Sequence, residues 1–178
     1  ELFKTHPSVG SWSYPEDSYL NIGTVPLFSG FMYAAIWSYI MACWKLYGVT
    51  LKNAPSYALS MVVCVLIYMN FFTNHFVYDI RWFLFIMVIA LYFKTDALYR
   101  IREKVYAVPL AFAFVWVGCA VWIAENIATY YGAWKYPTQI HVWQVVSVQK
   151  ITSWTLLVII SFMLVAYLKH YKHKKGNG

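Results

Sequence analysis

Glu125 is a carboxylate set inside an otherwise apolar stretch, with Asn126 beside it. An ionisable group so placed is costly in an apolar medium and normally faces a bundle interior or a cavity. A partly buried carboxyl holds its proton more readily, so Glu125 is the candidate general acid or base. His75 and Asp79 are four residues apart, a spacing that puts two side chains on one helix face, and Arg81 follows at once. His75, Asp79, Arg81 and Asn126 are read as the polar groups of a ligand site. A metal at His75 and Asp79 would need further ligands from His6, Glu16 or His141; no spacing demands one, and no metal site is expected.

Aromatic residues accompany these groups in a repeated block. Gly10-Ser-Trp12-Ser-Tyr14-Pro15 matches Gly132-Ala-Trp134-Lys-Tyr136-Pro137, and a glutamate, Glu1 or Glu125, precedes each copy. Glycine permits a turn, Trp and Tyr sit well at the headgroup level of a bilayer, and proline ends the segment. Trp12, Tyr14, Trp134 and Tyr136 therefore serve either as interfacial anchors or as the walls of a site. The patterns of soluble enzymes are absent: no G-x-S-x-G, H-E-x-x-H, Walker A or G-x-G-x-x-G.

The elements that must position these residues are apolar. The chain is 61% hydrophobic, 21% aromatic and only 12% charged, against about 25% charged in soluble domains. Five apolar runs stand out, Pro26–Tyr47, Pro55–Phe72, Ile80–Phe93, Val105–Ala128 and Ile151–Leu168. A spanning helix needs about 20 residues, so the third run must borrow from Phe76–Asp79. The expected fold is all-α: a single transmembrane domain over 1–178, a polytopic bundle of about five helices near 26–47, 55–72, 77–93, 105–128 and 151–168. The blocks at 10–15 and 132–137 form its loops. Four helices separate the two blocks, which makes them a parallel internal repeat. Gly30, Ala34, Ser38 and Ala42 form a small-residue stripe on the first helix, and Ala120, Ala124 and Ala128 a shorter one on the fourth; both are expected to pack within the bundle. Cys43, Cys64 and Cys119 fall in apolar runs without a C-x-x-C spacing and read as small hydrophobes.

The net charge of +7 does not indicate nucleic acid, because the basic residues lie between the apolar runs and in the tail rather than along one face. Lys45, Lys52, Lys94, Arg100, Arg102, Lys104, Lys169, Lys172, Lys174 and Lys175 fall on one side of a five-helix bundle. Lys4, Arg81, Lys135 and Lys150 fall on the other. The positive-inside rule makes the tail cytoplasmic, where it suits anionic lipid, and turns both aromatic loops and the His75 segment outward. No signal-peptide pattern opens the chain at Glu1, and a longer parent protein is expected.

Longer stretches carry a resemblance. Glu1-Leu-Phe-Lys-Thr5, Gly10-Ser-Trp-Ser-Tyr-Pro-Glu16, Val25-Pro-Leu-Phe-Ser-Gly-Phe-Met-Tyr33, Asn70-Phe-Phe-Thr-Asn-His75, Asp79-Ile-Arg-Trp82, Ala124-Glu-Asn-Ile127, Ser153-Trp154 and Ile159-Ile-Ser-Phe162 resemble the YoaT-like family of uncharacterised bacterial integral membrane proteins. The resemblance implies a multi-pass protein of the bacterial cytoplasmic (inner) membrane, longer at its N-terminus by about three helices, of which this chain is the C-terminal two-thirds. The repeat is also similar to each half of the membrane-integral lycopene cyclases. Their Pro-x-Glu-Glu acid pair is missing here, where the matching stretches read Pro26-Leu-Phe-Ser29 and Val148-Gln-Lys150.

The residues thus point to a membrane-embedded bundle holding a lipid or isoprenoid-like ligand at an outward-facing aromatic and polar site. The bilayer is its partner, and a lipid, quinone or carotenoid-like molecule is the ligand class. An accessory or structural subunit of a photosynthetic or respiratory membrane complex is the alternative. A secondary transporter fits less well, because no helix carries mid-membrane polar breaks, and a channel is not indicated.

Overall fold

The computed structural model describes residues 1–15 and 18–176, with side chains except those of 32, 33 and 170–176. The chain is mostly helical, as expected, and it also contains two small sheets. A single turn, α1 (Leu2–Thr5), precedes the first aromatic loop. A two-stranded hairpin, β1 (Asn21–Ile22) and β2 (Val25–Pro26), leads into α2 (Phe28–Tyr47). Gly48 ends α2 in the left-handed conformation and returns its N–H to the Trp44 carbonyl. Strand β3 (Thr50–Lys52) and helices α3 (Tyr57–Thr73) and α4 (Arg81–Tyr92) follow. Next come β4 (Asp96–Ile101), β5 (Lys104–Pro109) and α5 (Leu110–Tyr130). A 3-10 turn at Pro137–Gln139 and α6 (Lys150–Gly176) complete the chain.

Helix α6 is the hub. It packs against α2, α3, α4 and α5, and Leu156, Ile159, Met163 and Ala166 meet Val63, Ile67, Leu84, Val88 and Phe114 in the core. The closest approach is between α5 and α6 at Gly118. A Cβ there would lie 2.1 Å from Thr155 Oγ1, 3.1 Å from the Thr155 nitrogen and 3.2 Å from the Ile151 carbonyl. The small residues singled out in the sequence do not make this contact. Gly30, Ala34, Ser38 and Ala42 are all exposed, as are Ala120 and Ala124. The packing stripe on α5 runs instead through Ala111, Phe114, Gly118, Glu125 and Thr129, which are buried one helical turn or two apart.

The region between α4 and α5 differs from the expected loop and helix start. Strands β3, β4 and β5 form an antiparallel sheet in that order, with Leu51 opposite Ala97 and Tyr99 opposite Tyr106. Val105, Tyr106 and Val108 favour an extended chain, and the Tyr99 and Tyr106 rings stack at 5.6 Å. Pro109, which lacks an N–H to continue a ladder, closes β5 and caps α5. Thr95 is fully buried; its hydroxyl donates to the Asn53 carbonyl at 3.0 Å and its carbonyl accepts the Leu110 N–H. The sheet thus gathers Lys45, Lys52, Arg100, Arg102 and Lys104 near one end of the helices.

The expectation of five spanning helices is not met. Among the described residues two helices are long and apolar enough to cross a bilayer, Leu110–Tyr130 and Lys150–Lys169. The 12 residues of α4 rise about 18 Å at 1.5 Å each, well short of a 30 Å hydrocarbon core. It is short because Phe76–Asp79 does not join it. Asp79 Oδ1 accepts the Arg81 N–H at 2.9 Å, and the Asn70 side-chain oxygen accepts the Ile80 N–H at 3.1 Å. Asp79 caps the helix from outside, a role that suits a short acceptor better than a helix interior.

If the Gly118–Thr155 contact sets the α5–α6 distance, Gly118→Ala overpacks it. The expected loss is about 1–3 kcal/mol, read as a lower melting temperature in detergent. Adding Thr155→Ala should restore part of it, because the backbone contacts remain. A Gly118→Ala protein melting like the wild type rules the contact out.

Candidate functional site

The polar end of the fold is assembled by hydrogen bonds between distant segments. Ser13 and Lys135 exchange both backbone hydrogen bonds, at 2.9 and 2.8 Å, and join the two aromatic loops edge to edge. Lys4 Nζ donates to Asn74 Oδ1 at 3.0 Å, which ties α1 to the turn after α3. His75 Nε2 and Ser11 Oγ share a hydrogen bond of 2.9 Å. Arg81 donates through Nη1 to Ser153 Oγ at 3.0 Å, linking the start of α4 to α6.

These contacts surround a cleft of about 370 Å³ lined by Lys4, Trp12, His75, Asp79, Arg81 and Lys150, with Ser11, Asn74 and Ser153 among its other polar groups. Its charges sit on three separate elements. Arg81 holds Asp79 through Nε at 2.9 Å and through Nη2. Asn70 Nδ2 donates to the other carboxylate oxygen at 3.1 Å. Burial alone would push the Asp79 carboxyl up, but the bonds from Asn70 and Arg81 outweigh it and hold the group below its ordinary range. Lys4 is 3% exposed. Its ammonium lies 4.6 Å from the centre of the Phe71 ring. Burial, then the charges of Lys150 and Arg81, pulls it down to about 8. Burial, then the charges of Lys4 and Lys150, lowers His75. The Lys150 ammonium caps the Tyr136 ring at 4.2 Å.

His75 and Asp79 share no helix face. They lie in the turn and extended segment after α3, and their partners point them apart, to Ser11 and to Arg81. Of the residues singled out in the sequence, Trp12, His75, Asp79 and Arg81 line the cleft. Tyr14, Trp134, Tyr136, Glu125 and Asn126 lie outside its lining. Asn126 Oδ1 accepts the Val146 N–H at 2.9 Å and so holds the segment before α6. Glu125 is 2% exposed; its two oxygens accept from Tyr136 Oη and, at 2.7 Å, from Trp154 Nε1. Glu1 makes a matching arrangement with the first loop, accepting Trp12 Nε1 at 3.0 Å and Tyr14 Oη at 3.1 Å. Burial, then the Glu1 charge, pushes the Tyr14 hydroxyl up to about 12. His6 bonds to Ser8, His141 is exposed, and Glu16 lies outside the described residues.

The two loops share more than spelling. Gly10 and Gly132 both take positive φ, +54° and +83°, and each motif tyrosine reaches a glutamate from before its loop. The likeness stops there. A β-hairpin follows the first block and a 3-10 turn the second, and the second tryptophan donor to Glu125 comes from α6 rather than from the loop. A repeated folding unit is not supported.

Residues 1–162 match a family described as a protein of unknown function, DUF817. The chain belongs to this family. The DUF817 chain is also 49% identical over 174 residues to the uncharacterized protein YoaT of Bacillus subtilis (strain 168). That match covers 98% of this chain and 65% of YoaT, so the chain spans less than two thirds of this relative's length. No solved structure matches it.

Lys4, Lys150 and Ser153 were not expected in the site. The signal was present in the charge distribution: three of the four basic residues at this end, Lys4, Arg81 and Lys150, converge on one cleft. Glu125→Gln would replace one acceptor oxygen by an amide donor facing Tyr136 or Trp154. We expect a loss of about 1–3 kcal/mol and a shift in Trp154 emission; unchanged melting and emission would show that the carboxylate does not hold α6.

Proposed function

We propose that this DUF817 chain is a multi-pass membrane protein that binds a lipid-like or isoprenoid-like amphiphile in the cleft between Trp12, His75, Arg81 and Lys150. The carrying observation is the cleft itself, a polar hollow with aromatic and apolar walls at one end of an apolar bundle. An amphiphile matches that contrast, its head among the charges and its chain along the helices.

The membrane reading is supported by what the long helices expose. Only 28% of the apolar window of α5 and 39% of that of α6 is covered inside the protein; the core helix of a soluble domain is mostly covered. Phe83, Ile86, Phe112, Trp116 and Ile123 all stand outward, each more than half exposed. An apolar belt of this extent supports contact with lipid. In our reading α2 and α3 cross beside α5 and α6. The shorter α4 begins one level deeper, where the cleft dips between them. The basic sheet end then faces the cytoplasm with the tail, and the cleft faces outward.

A second reading, a subunit of a larger membrane complex, is favoured by one observation. The outward stripe Gly30, Ala34, Ser38 and Ala42 on α2 offers a surface on which another helix packs closely.

Two measurements check the proposal. In a cysteine-free background, Tyr19→Cys at the cleft end should react with an impermeant maleimide on intact cells, whereas Glu103→Cys at the β4–β5 turn should react only after lysis. Equal or reversed labelling refutes the orientation. Native mass spectrometry of protein extracted in mild detergent should find a bound amphiphile that is lost in Trp12→Ala with His75→Ala; protein that emerges empty refutes the ligand site, and protein found only with stoichiometric partner chains favours the second reading.

A further inference from the structure

Among the described residues, the cleft lining carries more positive charge than negative. Three cations line it, Lys4 from α1, Arg81 from the start of α4 and Lys150 from the first turn of α6. Asp79 is the one carboxylate in the lining, and it is already occupied by Arg81 and Asn70. Two other acids lie outside the lining: Glu1 accepts from Trp12 and Tyr14, and Glu125 accepts from Tyr136 and Trp154 while its charge attracts Lys150. Among the described residues the only ion pair is Arg81 with Asp79, and no described carboxylate lies within 4 Å of either lysine ammonium.

Burying a cation away from a counter-charge is unfavourable, and gathering a second ammonium and a guanidinium near it is more so. Lys4 shows the strain of this arrangement. It is almost wholly buried, its ammonium has three N–H groups and one hydrogen-bond acceptor, Asn74, and it otherwise faces aromatic rings. Lys150 likewise rests on the Tyr136 ring. Arg81, by contrast, is held rigidly by Asp79 and Ser153. The Lys150 and Ser153 positions also belong to the first turn of the long α6, whose positive dipole end adds to the field. Two lysines with spare donors, a fixed guanidinium and a helix start converge on one hollow, which is the equipment of an oxyanion site.

We propose that the cleft binds a phosphate group, with Lys4, Lys150 and Arg81 as its cationic ligands. This inference rests on the reading of the cleft as a ligand site and adds the chemistry of the ligand's head. Both an anionic phospholipid and free phosphate carry that head. The apolar wall of Trp12 and Phe71 lies beside the cations, where the first carbons of a lipid chain would run.

The test uses the purified protein in nanodiscs of neutral phosphatidylcholine. Dioleoyl phosphatidic acid, dioleoylglycerol and inorganic phosphate are the three probes, followed by Trp12 emission and native mass spectrometry. Phosphatidic acid should bind roughly tenfold or more tightly than dioleoylglycerol, because each charge-assisted contact is made only with the phosphate. Lys4→Met and Lys150→Met should each erase that preference, while Lys104→Met, at the sheet end, should keep it. Competition by inorganic phosphate would make the free anion a ligand in its own right; binding of the lipid without such competition would assign the head group to a lipid. Equal binding of phosphatidic acid and dioleoylglycerol overturns the phosphate head and leaves the amphiphile site standing. Binding of neither overturns both. If Lys4→Met does not fold, the wild-type protein supplies a second measurement. Lys4 faces His75, Asp79, Arg81 and Lys150, and it loses its charge as pH rises through about 8. Affinity for dioleoyl phosphatidylglycerol, whose phosphodiester keeps one charge throughout, should fall across that interval, and affinity that is flat there also overturns the assignment.

Discussion

A carboxylate buried in an apolar bundle must find donors, and the way Glu125 finds them organises the polar end of this protein. Its partners come from the loop after its own helix, through Tyr136, and from α6, through Trp154. Each bond therefore closes a gap between elements. With Tyr136 fixed, its ring is in place beneath the Lys150 ammonium. With Trp154 fixed, the first turn of α6 is held where Ser153 can meet Arg81. Arg81 in turn fixes Asp79, and Asp79 decides that α4 begins where it does. A chain of polar contacts thus runs from α5 to α4, and its links at Glu125, which is buried, are stronger for lying out of water.

The opposite end is held by different means. There the β3–β4–β5 sheet replaces loops, and Thr95 ties the Asn53 carbonyl, through its hydroxyl, to the start of α5, through its own carbonyl. The contrast has a physical basis. Backbone pairing leaves the side chains of Lys52, Arg100 and Lys104 outward, and these exposed or half-exposed cations can remain hydrated. At the cleft end the cations are drawn inward, because they project from helix starts and from α1 toward a common hollow. Like charges are thus dispersed at one end and concentrated at the other.

Much of the helical content was legible in the sequence because apolar runs persist for many residues whatever their partners. The central parts of α2, α3, α5 and α6 fall within the runs Pro26–Tyr47, Pro55–Phe72, Val105–Ala128 and Ile151–Leu168. Boundaries failed where a polar group competed with the helix. Asp79 shortened α4 from outside, and Val105–Pro109 went to a strand because Tyr106 had a cross-strand partner in Tyr99 that no local pattern displays. The packing stripes failed for a related reason. Alanine and glycine at every fourth position look alike wherever they face, and the face used by α5 was set by Thr155, far along the chain. Within the site, Trp12, His75, Asp79 and Arg81 could be found because they are unusual in type or company. Lys4 and Lys150 looked like ordinary flanking cations, since their convergence on one cleft is a tertiary property.

The two aromatic loops show how a short repeated block can carry a local solution without a repeated fold. In both, a glycine turns the chain with positive φ and a tyrosine hydroxyl reaches a carboxylate from the preceding segment. That arrangement satisfies an acid with donors that are themselves largely apolar, so it adds little polar area to the bundle. The loops then meet at Ser13 and Lys135 and satisfy each other's backbone. What differs is the source of the tryptophan, Trp12 within the first block and Trp154 on α6 for the second. The difference matters to the cleft. Trp12 leaves the first loop as a wall, while the second acid takes its tryptophan from α6 and so draws the start of that helix, with Lys150, to the rim. One local solution used with two tryptophan sources thus gives the cleft its aromatic side and its charged side.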